Sequence, residues 1–263
     1  MTARTQTAAA MAFRDQLRRP LVPTLLLVAP IFIVIVAVAQ TRPTPRRIEL
    51  PGGLWVTTTM KALHGPEMAK FAVAFVAALV GVFVMQAALA GDGRLVVAGF
   101  RPRETVLARL LVLVSAVGVV AAVAAGLIDL EAAPVSWPPV IGALVLVGLI
   151  YGAIGTLAGA LLDKLAATYL ILFLVMADLG VVQTPMFHAA PSRLAVLLPG
   201  YAPTRLMLDG AYSQTFTATA ELLLAIGWVV ALAATVYFVL RRRLGTTSHS
   251  PSIIYPVRVC ERS

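Results

Sequence analysis

The chain has 263 residues, of which 60% are hydrophobic and only 13% charged, about half the charged share of an ordinary soluble domain. The apolar residues fall in six runs of about 20 residues, which excludes a water-soluble fold and, being continuous rather than alternating, a membrane β-barrel. The net charge of +9 does not indicate a nucleic-acid partner, because the arginines collect at the ends of the runs and no soluble domain remains to present a groove.

Taken in chain order, residues Ala8–Arg19 read as a short basic amphipathic helix. Ala10, Phe13 and Leu17 share one face, Arg14 and Arg18 another, and Pro20 ends it. Such a helix lies in the membrane interface, as a simple anchor or as an elbow that also touches a cytoplasmic partner. The first span is Leu21–Gln40, where Pro23 and Pro30 are expected to bend the helix. A loop with Arg42, Arg46 and Arg47 leads to the second span, Ala69–Ala90. The connector Gly91–Glu104 is too elaborate for a plain turn. Its apolar stretch Leu95–Ala98 lies between glycines and charges, predicting a small separate helix across the membrane face, stopped at Gly99. Pro102 and Glu104 suit the first turn of the next helix.

The third span is Val106–Ile128 and the fourth Pro138–Leu162. The fourth carries Gly148-x-x-x-Gly152 and Gly155-x-x-x-Gly159, small residues spaced for close helix packing. The fifth, Ala166–Thr184, contains Asp178, the outstanding charge inside a span. A carboxylate there lines a cavity or pathway, or else reaches the interface or caps a neighbouring helix; Gln86 and Gln40 are weaker polar candidates. The segment Pro185–Glu221 holds two stretches too short to span, Ser192–Leu198 and Pro203–Tyr212, with Arg205 and Asp209 spaced to pair. The sixth span is Leu222–Leu240. The expected fold is all-α: an amphipathic segment 1–20, a six-span bundle 21–243 and a tail 244–263.

Six spans put both termini on one side. That side carries fourteen Lys and Arg residues, the other seven, so the termini are expected in the cytoplasm. Eighteen arginines against three lysines, with abundant Ala and Val, fit the coding bias of a GC-rich bacterium and hence a bacterial plasma membrane. No Gly is followed by Lys, so there is no nucleotide-binding P-loop. Cys260 stands alone, and His64, His188 and His249 lack ligand spacing, so no metal site is expected. Paired carboxylates or a nucleophile–histidine arrangement are missing from the spans, so the chain is not expected to be an enzyme.

From Ala8 to about Arg243 the sequence resembles the type-2 permeases of ATP-binding-cassette transporters, the membrane subunits of type V exporters. Asp92-Gly93-Arg94 and Gly99-Phe100-Arg101-Pro102 match the opening and closing of that family's cytoplasmic coupling segment, although many members have Glu where Asp92 stands. Leu198-Pro199-Gly200-Tyr201-Ala202-Pro203 matches its outer segment. The resemblance implies that Asp92, Arg94, Gly99, Phe100, Arg101, Pro102 and Glu104 receive an ATPase, and that Pro199, Tyr201 and Pro203 belong to an outer gate. It further implies two copies of a separate ATPase subunit, which bind the ATP and Mg²⁺, and a second permease chain, identical or sister. Drugs, lipids, glycans and peptides are all cargo classes of this family. A self-sufficient secondary carrier, or a membrane-embedded enzyme or scaffold, is the alternative the residues leave open.

The topology has a direct check. Single cysteines at positions 131, 164 and 201, in a Cys260→Ser background, should react with an impermeant thiol reagent in intact cells at 131 and 201 only. Labelling of a cysteine at position 100 would overturn this orientation.

Overall fold

The computed structural model describes Arg14 and residues 21–97, 102–131 and 133–247. Helix α1 is Leu21–Gln40; strands β1 (Pro45–Glu49) and β2 (Trp55–Thr59) follow. Then come α2 (Met60–Val97), α3 (Pro102–Glu131), α4 (Trp137–Leu161) and α5 (Lys164–Val175), which continues as a π-helical segment, Met176–Val182. Short α6 (Tyr201–Tyr212) precedes the last helix, α7 (Thr219–Thr247).

Five of these contain stretches long and apolar enough to cross a bilayer: Met60–Ala87, Leu107–Leu130, Trp137–Leu161, Lys164–Val182 and Thr219–Arg242. Helix α1 adds a shorter apolar stretch, Leu26–Ala39. With no water to accept hydrogen bonds inside hydrocarbon, long apolar segments close their own backbone bonds as helices. The fold is mostly helical, and five of its described helices are long and apolar enough to cross a membrane.

Helices α2 and α4 form the axis of the bundle, and 78% of the α2 stretch is buried against 11% of the α7 stretch. The glycines explain the contact. A Cβ on Gly155 would lie 2.0 Å from the Ala78 carbonyl oxygen, and one on Gly81 would lie 2.3 Å from that of Gly152. The two backbones therefore touch, as small residues at helical spacing allow. Gly148 and Gly152 serve a different neighbour, leaving room for Val117 and Leu113 of α3.

At one end the connecting segments build a cap. The strands pair antiparallel, with Arg47 opposite Thr57 and Glu49 opposite Trp55. Gly52 and Gly53 turn the hairpin at φ 79° and 77°, the left-handed region open to glycine. Ile48 and Leu50 pack with Leu63 of α2 and Leu208 of α6. Glu49 N donates to Ala189 O at 2.9 Å, joining the hairpin to the segment after α5, and Ser136 N donates to Gly210 O at 2.8 Å, tying the α3–α4 connector to α6.

Several expectations need correction. The second membrane helix starts at Met60, nine residues before Ala69, so that Lys61 and Glu67 are absorbed into it ahead of Lys70. It also runs unbroken through Gly91 and Gly93 to Val97, so Leu95–Val97 do not begin a separate helix; helical hydrogen bonding there overrides the glycine signal. Residues 98–101 lie outside the described residues. Ser192–Leu198 forms only a 3₁₀ turn, Ala195–Leu197, whereas the Pro203–Tyr212 stretch is α6. The hairpin replaces an expected plain loop. The amphipathic segment Ala8–Arg19 lies outside the described residues apart from Arg14, which is helical and exposed.

The α2–α4 contact predicts that Gly155→Val forces the helices apart. Overpacking at such a site costs about 1–3 kcal/mol or more, read as a lower melting temperature in detergent. Gly118→Val, where a Cβ meets nothing within 4 Å, should leave melting nearly unchanged.

Candidate functional site

A chain of buried polar groups crosses the bundle near its capped end. It starts on α2, where Glu67 and Lys70 are three residues apart and so share one helix face. Lys70 is fully buried and lies about 15 Å along the helix from Met60. Its Nζ donates to Glu67 Oε2 at 2.7 Å and to Thr204 Oγ1 of α6 at 2.8 Å. The Thr204 hydroxyl donates in turn to Gly200 O at 2.7 Å. Gly200 N donates to Asp178 Oδ2 at 2.9 Å, and the Tyr151 hydroxyl of α4 donates to the same oxygen. Four elements far apart in sequence are thus joined: α2, α4, the π-helical segment and α6.

The local backbone explains the geometry. Asp178 sits where the helix widens, Gln183 N donating to Asp178 O at 2.8 Å across five residues. That extra residue per turn aims the side chain at the start of α6, and π-helical insertions of this kind recur at functional sites. Gly200 precedes α6, and a Cβ there would fall 2.8 Å from Asp178 Oδ2, so the carboxylate reaches the helix entrance only because the residue is glycine. The negative carboxylate also suits the positive end of α6.

Two carboxylate oxygens in this network, Glu67 Oε1 and Asp178 Oδ1, have no hydrogen-bond partner. Among the described residues the buried charged side chains are Glu67, Lys70, Asp178, Arg205 and Asp209, three acids against two bases. Arg205 Nη1 donates to Glu49 O at 2.5 Å, while Asp209 accepts from Thr217 Oγ1 at 2.7 Å. The expected Arg205–Asp209 pair is therefore replaced by separate ties to the hairpin and to the approach to α7. Arg205, with Thr184, His188 and Glu49, lines a cavity of about 20 Å³ beneath the hairpin, room for one water. Tyr212 donates to Ala62 O at 3.0 Å, and burial followed by the nearby Glu67 carboxylate pushes its phenol well above the usual range, so it stays a donor.

Asp178 is buried in the network and caps a neighbouring helix, one of the two roles foreseen for it. Gln86 donates to Gly159 O and Leu162 O, at 2.8 and 2.9 Å, and so closes the end of α4. Gln40 is exposed at the end of α1. Pro199 precedes α6; Tyr201 begins it and lies near Arg205, Glu49 and Glu221; Pro203 is buried in its first turn. Burial raises the Tyr201 phenol from its ordinary value. Asp92 and Arg94 ride on the far end of α2, and Pro102 and Glu104 on the first turn of α3. Gly99, Phe100 and Arg101 lie outside the described residues.

Lys70, Glu67, Thr204 and Tyr151 were not singled out by sequence. A signal existed: an acid and a base three apart, fused directly to an apolar run, pair on one helix face. Among the described residues no group of three or more His, Cys, Asp or Glu is placed to hold a metal ion. No family model and no curated protein sequence matches the chain.

Removing one partner of a buried ion pair leaves the other charge uncompensated, at about 3–5 kcal/mol. Lys70→Met should therefore destabilise the protein strongly, and Glu67→Gln combined with Lys70→Met should recover much of the loss. The comparison is made on melting temperatures in one detergent; a double variant no more stable than Lys70→Met would remove the pair from its structural role.

Proposed function

We propose that the chain is the permease subunit of an ATP-driven exporter, powered by a separate ATPase and completed by a second permease chain. The observation that carries this reading is α6. A helix of only 12 residues cannot span, yet Ala202–Ala211 are all buried between the spans. Through Thr204 and Gly200 it holds the charges of α2 and the π-helical segment. A short helix seated in the non-cytoplasmic end, just before the last span, is what the resemblance to type-2 permeases implies for an outer gate.

Two further features support it. With 38 residues α2 is about 57 Å long, far more than the ~30 Å of hydrocarbon. Its Asp92–Val97 end projects away from the cap, toward the side expected to meet the ATPase. The α2 and α4 backbones close the centre of the chain, so a pathway fits between two copies better than within one. In this reading α1 is the sixth span, both termini are cytoplasmic, and ATP and Mg²⁺ are bound by the partner. The buried charges of the network favour a second reading, a self-sufficient carrier, since charged groups among spans mark ion pathways in carriers.

Affinity capture of the tagged chain separates the two. The exporter reading expects an ATPase to co-purify, and Asp92→Ala with Arg101→Ala to weaken its retention, since loss of buried charged contacts at an interface costs roughly 2–5 kcal/mol. Transport by the purified chain in vesicles without any ATPase would establish the carrier instead.

A further inference from the structure

The β1–β2 hairpin carries a surface that neither the bundle nor the buried network uses. Its register puts Arg47, Thr57, Glu49 and Trp55 on one face, away from the fully buried Ile48. On that face the Arg47 guanidinium lies 5.0 Å from the centre of the Trp55 ring. Trp55 is 45% exposed and Leu54, at the tip, 53% exposed. A tryptophan and a leucine side by side on the surface of a polar hairpin call for a partner that is apolar below and charged above.

The position of the hairpin says which. The Thr217 hydroxyl, which donates to Asp209, lies 3.3 Å from Pro51 O, so the tip rests on the segment that enters α7. Phe216 there is exposed, and the exposed Leu223, Leu224 and Val230 of α7 continue the apolar surface down the outside of the bundle. The apolar tip is thus continuous with the lipid-facing wall, at the level where the helices leave the hydrocarbon. Charge agrees: Arg42, Arg47 and Lys61 are exposed on or beside the hairpin, against the half-buried Glu49 and Glu221.

We propose that this face binds an anionic phospholipid, with Trp55 and Leu54 set at the headgroup–acyl boundary and Arg47 holding the phosphate. Indole rings settle at the headgroup level because one edge is polar and the body apolar. A guanidinium is weakly hydrated, presents a planar fork that matches two phosphate oxygens, and stacks on aromatic faces. The contact with Trp55 thus holds the donor fork in place before the lipid arrives. The proposal concerns headgroup chemistry and stands whichever leaflet the hairpin faces and whatever the chain transports.

The test uses the full chain in nanodiscs. With Trp137→Phe and Trp228→Phe, Trp55 is the sole tryptophan. Its fluorescence should be quenched by lipids brominated near the glycerol end more than by lipids brominated near the chain terminus, and only weakly by aqueous iodide. Strong iodide quenching without a bromolipid effect overturns the proposal, as does equal shielding in lipid-free dimers, which would assign the face to a second copy. Because the two tryptophan changes touch packed positions, native mass spectrometry of the unaltered protein supplies the second arm. Phosphatidylglycerol should be retained over phosphatidylcholine, and Arg47→Gln should reduce that retention about fivefold, the effect of one basic residue at an anionic surface. Retention unchanged by Arg47→Gln, or abolished by inorganic phosphate at matched concentration, overturns the assignment to a lipid headgroup.

Discussion

An ammonium group cannot rest among apolar helices without partners, and the arrangement of the cap end of this protein follows from how Lys70 obtains them. One partner is local: Glu67, one helical turn away on the same helix. The other is Thr204, 134 residues on in sequence. A lone buried charge costs several kcal/mol even after relaxation, so α6 is held where its threonine can meet the lysine. Once α6 is there, its entrance at Gly200 faces Asp178, and the carboxylate that would otherwise be exposed to hydrocarbon becomes a helix cap shared with Tyr151.

The glycine-lined axis has the opposite character. Where the network joins elements by directed polar contacts, α2 and α4 meet through absent side chains. In a membrane the hydrophobic effect does not drive helices together, and close van der Waals approach takes its place. The close approach fixes the spacing of Tyr151 on α4 from Lys70 on α2, so the polar network is pre-set by packing below it. The two devices act on the same pair of helices, one near the cap and one through the middle of the bundle.

The cap has consequences for how that end of the bundle could move. Its loops are bound both to each other and to α6: Glu49 to Ala189 and Thr217 to Pro51 between loops, Glu49 to Arg205 and Thr217 to Asp209 on the helix. A displacement of α6 is therefore felt at the hairpin and at the head of α7 together. In the exporter reading, that linkage lets an event at the cytoplasmic end of α2 reach the outer segment through one helix and one shared side-chain cluster.

Sequence by itself determined the class of the protein, the approximate place of its apolar helices and the packing role of the Gly148–Gly159 stripe. These are local properties: chain length against bilayer thickness, and spacing along one helix. Asp178 stood out for the same reason, a charge inside an apolar run. Tertiary structure alone decided what the charge does, because a capping partner such as Gly200 is chosen by the packing of another element. It also decided that Lys61 and Glu67 belong to α2 rather than to the loop before it. Lys61 stays exposed, while Lys70 pairs with Glu67 and reaches Thr204, which shows why the helix tolerates them. The same holds for the run through Gly91 and Gly93, where glycine's weak preference against helix yields to continuation of an already formed one. A sequence shows which groups are costly to bury; the fold determines where each finds its partner.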